Sequence, residues 1–178
     1  MVNTNKKTLM AFYSRKGNNY VSGNIINLQT GNTEIIAKKI VDITGGDLFK
    51  IDTIKTYPAD YTETTNVARD ELRSNARPEL THKVKDMSDY DVVYLGYPNW
   101  WGTCPMAIFT FLESYDFSGK TIVPFCTNEG SGLGRSIMDI KKVCPKSNVL
   151  KGLSIRGSEV RNIQNELKMW LKELGLVN

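Results

Sequence analysis

Hydrophobic and polar positions along this chain follow two alternating patterns. Short, nearly unbroken apolar runs fall at residues 8–13, 91–97 and 121–126, as expected of strands covered on both faces. Between them apolar residues recur at helical spacing. Ile35, Ile36, Ala37, Ile40 and Ile43 predict a helix that stops at Gly45-Gly46. Residues 48–51 form a short second strand, and 60–74 a helix capped by the carboxylate of Asp60. A helix over 105–112 starts on Pro105, which suits a first turn, and another covers 134–143. A weaker fifth strand lies over 148–153. The closing helix, 159–174, carries Val160, Ile163, Leu167, Trp170, Leu171 and Leu174 on one face. Strands alternating with helices predict βαβ units around a parallel sheet. Five strands and their crossovers occupy the chain, so 1–178 reads as one domain.

In an open α/β sheet, ligands sit beyond the carboxyl ends of the strands. Three loops leave such ends, at residues 14–33, 98–103 and 127–134. The first ends in Thr30-Gly31-Asn32-Thr33 at a helix start, where free N–H groups and the positive dipole end favour a phosphate. The hydroxyls of Ser14, Thr30 and Thr33 and the amide of Asn32 add donors, and Gly31 allows close backbone approach. A helix cap alone would also explain the tetrapeptide. The pattern of a triphosphate-binding loop with its Lys is missing. The second loop puts Trp100 beside Trp101 in a polar setting, as an aromatic ligand would require, although one ring could instead roof the core. The third has three glycines within residues 130–134, able to lay backbone against the edge of a planar ring.

The order of these loops resembles that of the flavodoxins. The family's phosphate signature, Ser or Thr and then, after a spacer, Thr-Gly-Asn-Thr, is matched by Ser14 and by Thr30 to Thr33. Trp101-Gly102 resembles its second flavin loop, and residues 126–132 occupy the place of its third. The resemblance spans essentially the whole chain. It implies an α/β fold with an open five-stranded parallel sheet of order 2-1-3-4-5, helices on both faces, and FMN bound without a covalent link. It also implies the FMN-binding residues: Ser14, Arg15, Thr30, Gly31, Asn32 and Thr33 from the first loop; Pro98, Asn99, Trp100, Trp101, Gly102 and Thr103 from the second; Cys126, Thr127, Asn128, Glu129, Gly130, Ser131 and Gly132 from the third. In flavodoxins a glycine of the second loop is associated with a peptide that turns over on one-electron reduction, and Gly102 is the matching position. Residues 15–29 interrupt the signature as an insertion, with Tyr20 and Asn24 near the site. No long insertion splits the fifth strand, so the core is of the short-chain type. Glu129 replaces the family's usual Gly-Asp pattern.

Composition narrows the classes further. With 40% hydrophobic and 24% charged residues the chain is expected to pack rather than stay disordered. Its net charge of +4 comes from 23 Lys and Arg against 19 Asp and Glu. The lysines are scattered in pairs, Lys6-Lys7, Lys38-Lys39 and Lys141-Lys142, which argues against nucleic-acid binding. No apolar stretch is long enough to span a membrane. Residues 1–7 hold no apolar run, so no secretory signal is expected and the expected location is cytoplasmic. Cys104, Cys126 and Cys144 lack CxxC spacing and are expected to be buried, reduced thiols. His82, the single histidine, belongs on the surface, and neither a Ser-His-Asp set nor a metal-spaced cluster is present. Residues 57–61 supply two tyrosines that could reach the cleft or simply lead into a helix.

Three functions remain. One is an electron carrier cycling FMN for a redox partner protein, a reductase or an acceptor. Another is an FMN-dependent NAD(P)H or quinone reductase, often a homodimer rather than a monomer. The third is a flavin-free regulatory or binding module. The positive charge departs from the usual acidity of the carriers.

Overall fold

The computed structural model describes residues 7–178. The Lys6-Lys7 pair and the signal-free start therefore fall wholly or partly outside the described residues. β1 (Thr8–Phe12), β4 (Asp47–Lys50), β5 (Val92–Pro98), β6 (Thr121–Asn128), β7 (Asn148–Val149) and β8 (Leu153–Arg156) form one parallel sheet. Its order is β4-β1-β5-β6-β7, with β8 also on β6. This is the 2-1-3-4-5 order the resemblance implies.

Alternating residues of each strand feed two cores. Leu9, Ala11, Tyr13, Val93, Leu95, Tyr97 and Ile122 face one side. There they meet α3 (Met106–Glu113), α4 (Ser136–Val143) and, through Leu72, α2 (Tyr61–Arg73). Met10, Phe12, Val92, Tyr94, Val123 and Phe125 face the other, against α1 (Asn32–Thr44) and α5 (Gln164–Glu173). Apolar burial on both faces explains why these strands read as unbroken apolar runs.

Most expected elements are present with shifted ends. The Asp60 carboxylate caps α2, accepting the Glu63 amide at 2.8 Å. Pro105 precedes α3 as its cap residue rather than opening its first turn. The closing helix begins later than expected, at Gln164, because residues 157–159 form a separate 3-10 turn. The fifth strand is broken: β7 pairs with Thr121 and Ile122, and β8 pairs with Phe125 to Asn128, three residues beyond the expected end.

The largest difference lies at residues 15–29. The sequence reading makes this a polar loop insertion; the structure makes it a β-hairpin of β2 (Gly17–Val21) and β3 (Asn24–Leu28). Ser22 and Gly23 at its two-residue turn both have positive φ, 49° and 86°, as a type I′ turn requires. Among the described residues no helix is long and apolar enough to cross a membrane, and no cluster could hold a metal ion.

Candidate functional site

At the carboxyl end of the sheet lies a cavity of about 460 Å³. Its walls come from the hairpin (Asn19, Tyr20), α2 (Tyr61, Thr64, Thr65, Ala68) and the three expected loops. Of the sequence-derived site residues, Arg15, Asn32, Pro98, Asn99, Trp100, Trp101, Thr127, Asn128, Glu129 and Ser131 line it. Ser14, Thr30, Gly31, Thr33, Gly102, Thr103, Cys126, Gly130 and Gly132 do not, and several of these shape the loops instead.

The first turn of α1 meets the cavity at Asn32. Its leading amides have no acceptor one turn earlier. Ser14 Oγ accepts the Glu34 amide at 3.1 Å, and the Gly31 carbonyl accepts that of Ile35 at 3.2 Å. The amides of Asn32 and Thr33 have no acceptor among the described residues. Gly31 is required by contact, since a Cβ there would strike Ser14 Oγ and the Arg15 carbonyl. The Thr33 hydroxyl, expected to point at the phosphate, is instead buried against the Thr127 hydroxyl at 2.8 Å. Arg15 donates to the carbonyls of Asn18, Pro58 and Ala59. Burial lowers its pKa from the ordinary guanidinium value.

The two indoles have different environments. Trp100 is half-buried, its ring edge-on to Tyr13 at 5.3 Å and to Tyr57 at 5.0 Å. Trp101, with φ 56°, is half exposed; its Nε1 donates to the Thr65 carbonyl at 2.9 Å and Arg69 lies 5.9 Å from its ring. Of the two tyrosines near the helix start, Tyr61 lines the cavity, whereas Tyr57 packs behind Trp100 and bonds Glu71 at 2.8 Å. Burial raises the Tyr57 and Tyr13 pKa values, so both phenols stay neutral.

Asparagines brace the second and third loops. Asn99 Oδ1 accepts the Gly102 amide at 2.9 Å and its Nδ2 donates to the Gly132 carbonyl at 2.8 Å. Asn128 Oδ1 accepts the Gly130 and Gly132 amides at 2.9 and 3.0 Å. Gly102 has φ 83°. Thr103 is buried and donates to Asp139 at 2.6 Å. Cys126 is buried below the loop, its thiol directed at the Thr127 and Gly132 carbonyls. Glu129 Oε2 accepts the Ser22 amide at 2.9 Å, while its Oε1 is buried without a partner among the described residues.

Asn19 on the hairpin is one lining residue that sequence reasoning missed; Thr64, Thr65 and Ala68 on α2 are the others. Their only signal is spacing, since with Tyr61 they lie three, four and seven positions apart, on one stripe of α2. Asn24 is exposed and bonds within the hairpin turn. His82 is exposed, and Trp170 is buried with its Nε1 on the Lys151 carbonyl at 3.1 Å. All three cysteines are free and buried.

The sequence profile of the family described as Flavodoxin matches residues 24–174. Among curated proteins, none matches significantly. A crystal structure of a candidate flavoprotein from Bacteroides eggerthii is 31% identical, with TM-score 0.78, over 96% of this chain and 99% of that one. One from Bacteroides uniformis is 29% identical, with TM-score 0.74, over 94% and 98%. A flavoprotein from Lactobacillus acidophilus, solved in complex with FMN, is 26% identical, with TM-score 0.63, over 88% and 97%. With a profile match over most of its length and a sheet of the same strand order, the chain belongs to the flavodoxin family.

Proposed function

We propose that this protein binds FMN in the cavity beyond β1, β5 and β6 and passes electrons to and from a redox partner protein. The observation that carries the reading is the cavity that Asn32, at the start of α1, lines together with Trp100 and Trp101. The group fits. The phosphate would lie at the Asn32 and Thr33 amides, where the helix dipole favours its charge. The ring would lie between the indoles and the braced third loop. The orphaned Oε1 of Glu129 is a buried acceptor on the cavity wall, suited to a hydroxyl donor of the ligand. When bound, FMN supplies one- and two-electron chemistry at its ring. The chain's part is to hold that ring, exclude water with Tyr20, Tyr61 and the indoles, and fix backbone polar groups along its edge. The similarity to the FMN-bound Lactobacillus acidophilus protein supports the cofactor assignment.

A net charge of +4 favours a second reading, an NAD(P)H or quinone reductase, because docking on a basic reductase gains from an acidic face. A visible spectrum of purified protein, followed through stepwise reduction, tests cofactor occupancy. Asn32→Pro, which removes one of the two helix-start amides and suits the first helical position, should weaken FMN more than riboflavin, which lacks the phosphate; equal losses would overturn the phosphate assignment. NADPH oxidation that needs an added reductase supports the carrier, and rapid oxidation by the isolated protein supports the reductase.

A further inference from the structure

The hairpin is held unequally at its two ends. At the root, Arg15 donates to the carbonyls of Asn18, Pro58 and Ala59, and Asn19 Nδ2 donates to the carbonyls of Arg15 and Gly17 at 3.0 and 3.1 Å. At the tip, the Ser22 amide donates to Glu129 Oε2 at 2.9 Å, a bond spanning 107 residues from the hairpin to the third loop. β3 is exposed along nearly its whole length, and an isolated two-stranded hairpin is at best marginally stable in water. Between root and tip, Tyr20 lines the cavity, its ring tilted 30° from Tyr61 with centroids 6.3 Å apart.

The place of Glu129 is prepared. A Cβ at Gly157 would collide with Glu129 Oε1 and with Asn32 Nδ2, so the glycine after β8 leaves the space that this carboxylate and amide occupy.

We propose that Glu129 has a second role toward the bound cofactor, through its other oxygen: by holding the Ser22 amide with Oε2 it keeps Tyr20 at the cavity mouth, and the flavin leaves when this tip bond opens. The inference rests on the FMN reading above. The root bonds act as the hinge, and Glu129 as the releasable catch.

The test compares FMN release, followed by recovery of flavin fluorescence after dilution into excess apo-acceptor, with exchange of the Ser22 amide in FMN-free protein. Glu129→Ala should speed release about tenfold, the weight of one charge-assisted hydrogen bond, and should speed Ser22 exchange while lowering the melting temperature of the FMN-free protein by no more than about 5 °C. Tyr20→Ala should also speed release, and the double variant should release no faster than the faster single one, because both act on one gate. A Ser22 amide equally protected in wild type and Glu129→Ala, or release rates that multiply in the double variant, would overturn the proposal. If wild type takes up no FMN, the cofactor reading itself fails, and this inference with it; if wild type binds FMN and Glu129→Ala releases it at the same rate, only the catch fails.

Discussion

The hydroxyl pair of Thr33 and Thr127 offers a direct test of how the first and third loops are joined. The oxygens lie 2.8 Å apart, and the residues are 2% and 5% exposed. Thr33→Val keeps the shape and removes one partner, leaving the Thr127 hydroxyl buried and unmatched. Such a loss costs ~2 kcal/mol, or about 5 °C in melting temperature for a chain of this size. Thr127→Val should cost about the same. Replacing both removes the unmatched group, so the double variant should lie within ~1 kcal/mol of wild type. The pair should therefore show a coupling energy of roughly 3–4 kcal/mol in a double-mutant cycle. The assay is urea unfolding of cofactor-free protein followed by circular dichroism, so nothing about flavin binding enters. A companion measurement bears on the site: with its hydroxyl turned to Thr127, Thr33→Val should change FMN and riboflavin affinity by the same factor. Strictly additive stability losses would refute the buried pairing. A loss confined to FMN would instead return the Thr33 hydroxyl to the phosphate.

Trp100 and Trp101 should separate cleanly. Trp100→Ala, which empties the space beside Tyr13 and Tyr57, should cost ~3 kcal/mol of stability, whereas the half-exposed Trp101 should cost under ~1 kcal/mol; equal losses in thermal melts would contradict the environments described. Added FMN should quench the tryptophan emission of cofactor-free protein, and an unchanged emission would place the ring elsewhere. Gly102→Val meets open space at its Cβ but must hold φ at 83°, a strain of about 1–2 kcal/mol. It should lower the stability of one-electron-reduced flavin, read by redox titration, and unchanged potentials would leave Gly102 a turn residue. Arg77 donates to both Glu113 oxygens at 2.7 and 2.8 Å, which holds the Glu113 pKa below 4.5. A carboxylate depressed in the folded state stabilises above that pH and stops doing so as the pH falls through its folded value. Arg77→Met should therefore cost ~0.5 kcal/mol at neutral pH for this partly exposed pair and progressively less below pH ~4; a gap that persists in acid would refute the linkage.

The sheet was legible because parallel strands buried on both faces leave nearly unbroken apolar runs, as at Val92 to Tyr97, and the caps were legible where chemistry and position coincide, as at Asp60. The hairpin was not. Tyr20, Ile25 and Ile26 are exposed, so no buried face imposes alternation on its strands. The signal that went unread was the Ser22-Gly23 turn dipeptide, both of whose residues have positive φ in the structure. The cavity loops could be placed from strand ends alone, but side-chain direction within them could not. Thr33 and Thr127 lie 94 residues apart in sequence, and nothing local says that their hydroxyls face each other. The α2 wall was hidden for a related reason: Thr64 and Ala68 are small buried residues on a mostly polar helix, so they leave little hydrophobic signal.

Cys104, Cys126 and Cys144 are all reduced and out of reach of solvent. Burial raises the thiol of Cys126 to about 12 and that of Cys144 to about 11, so in the closed molecule almost no thiolate is offered to an alkylating reagent. Each sulfur thus acts as a stopwatch for the region around it. Cys126 lies beneath the third loop, Cys104 just ahead of α3, and Cys144 at the end of α4. With reagent in excess, three separate labelling rates would report three separate opening events, and one shared rate would mean that this half of the molecule comes apart in a single step.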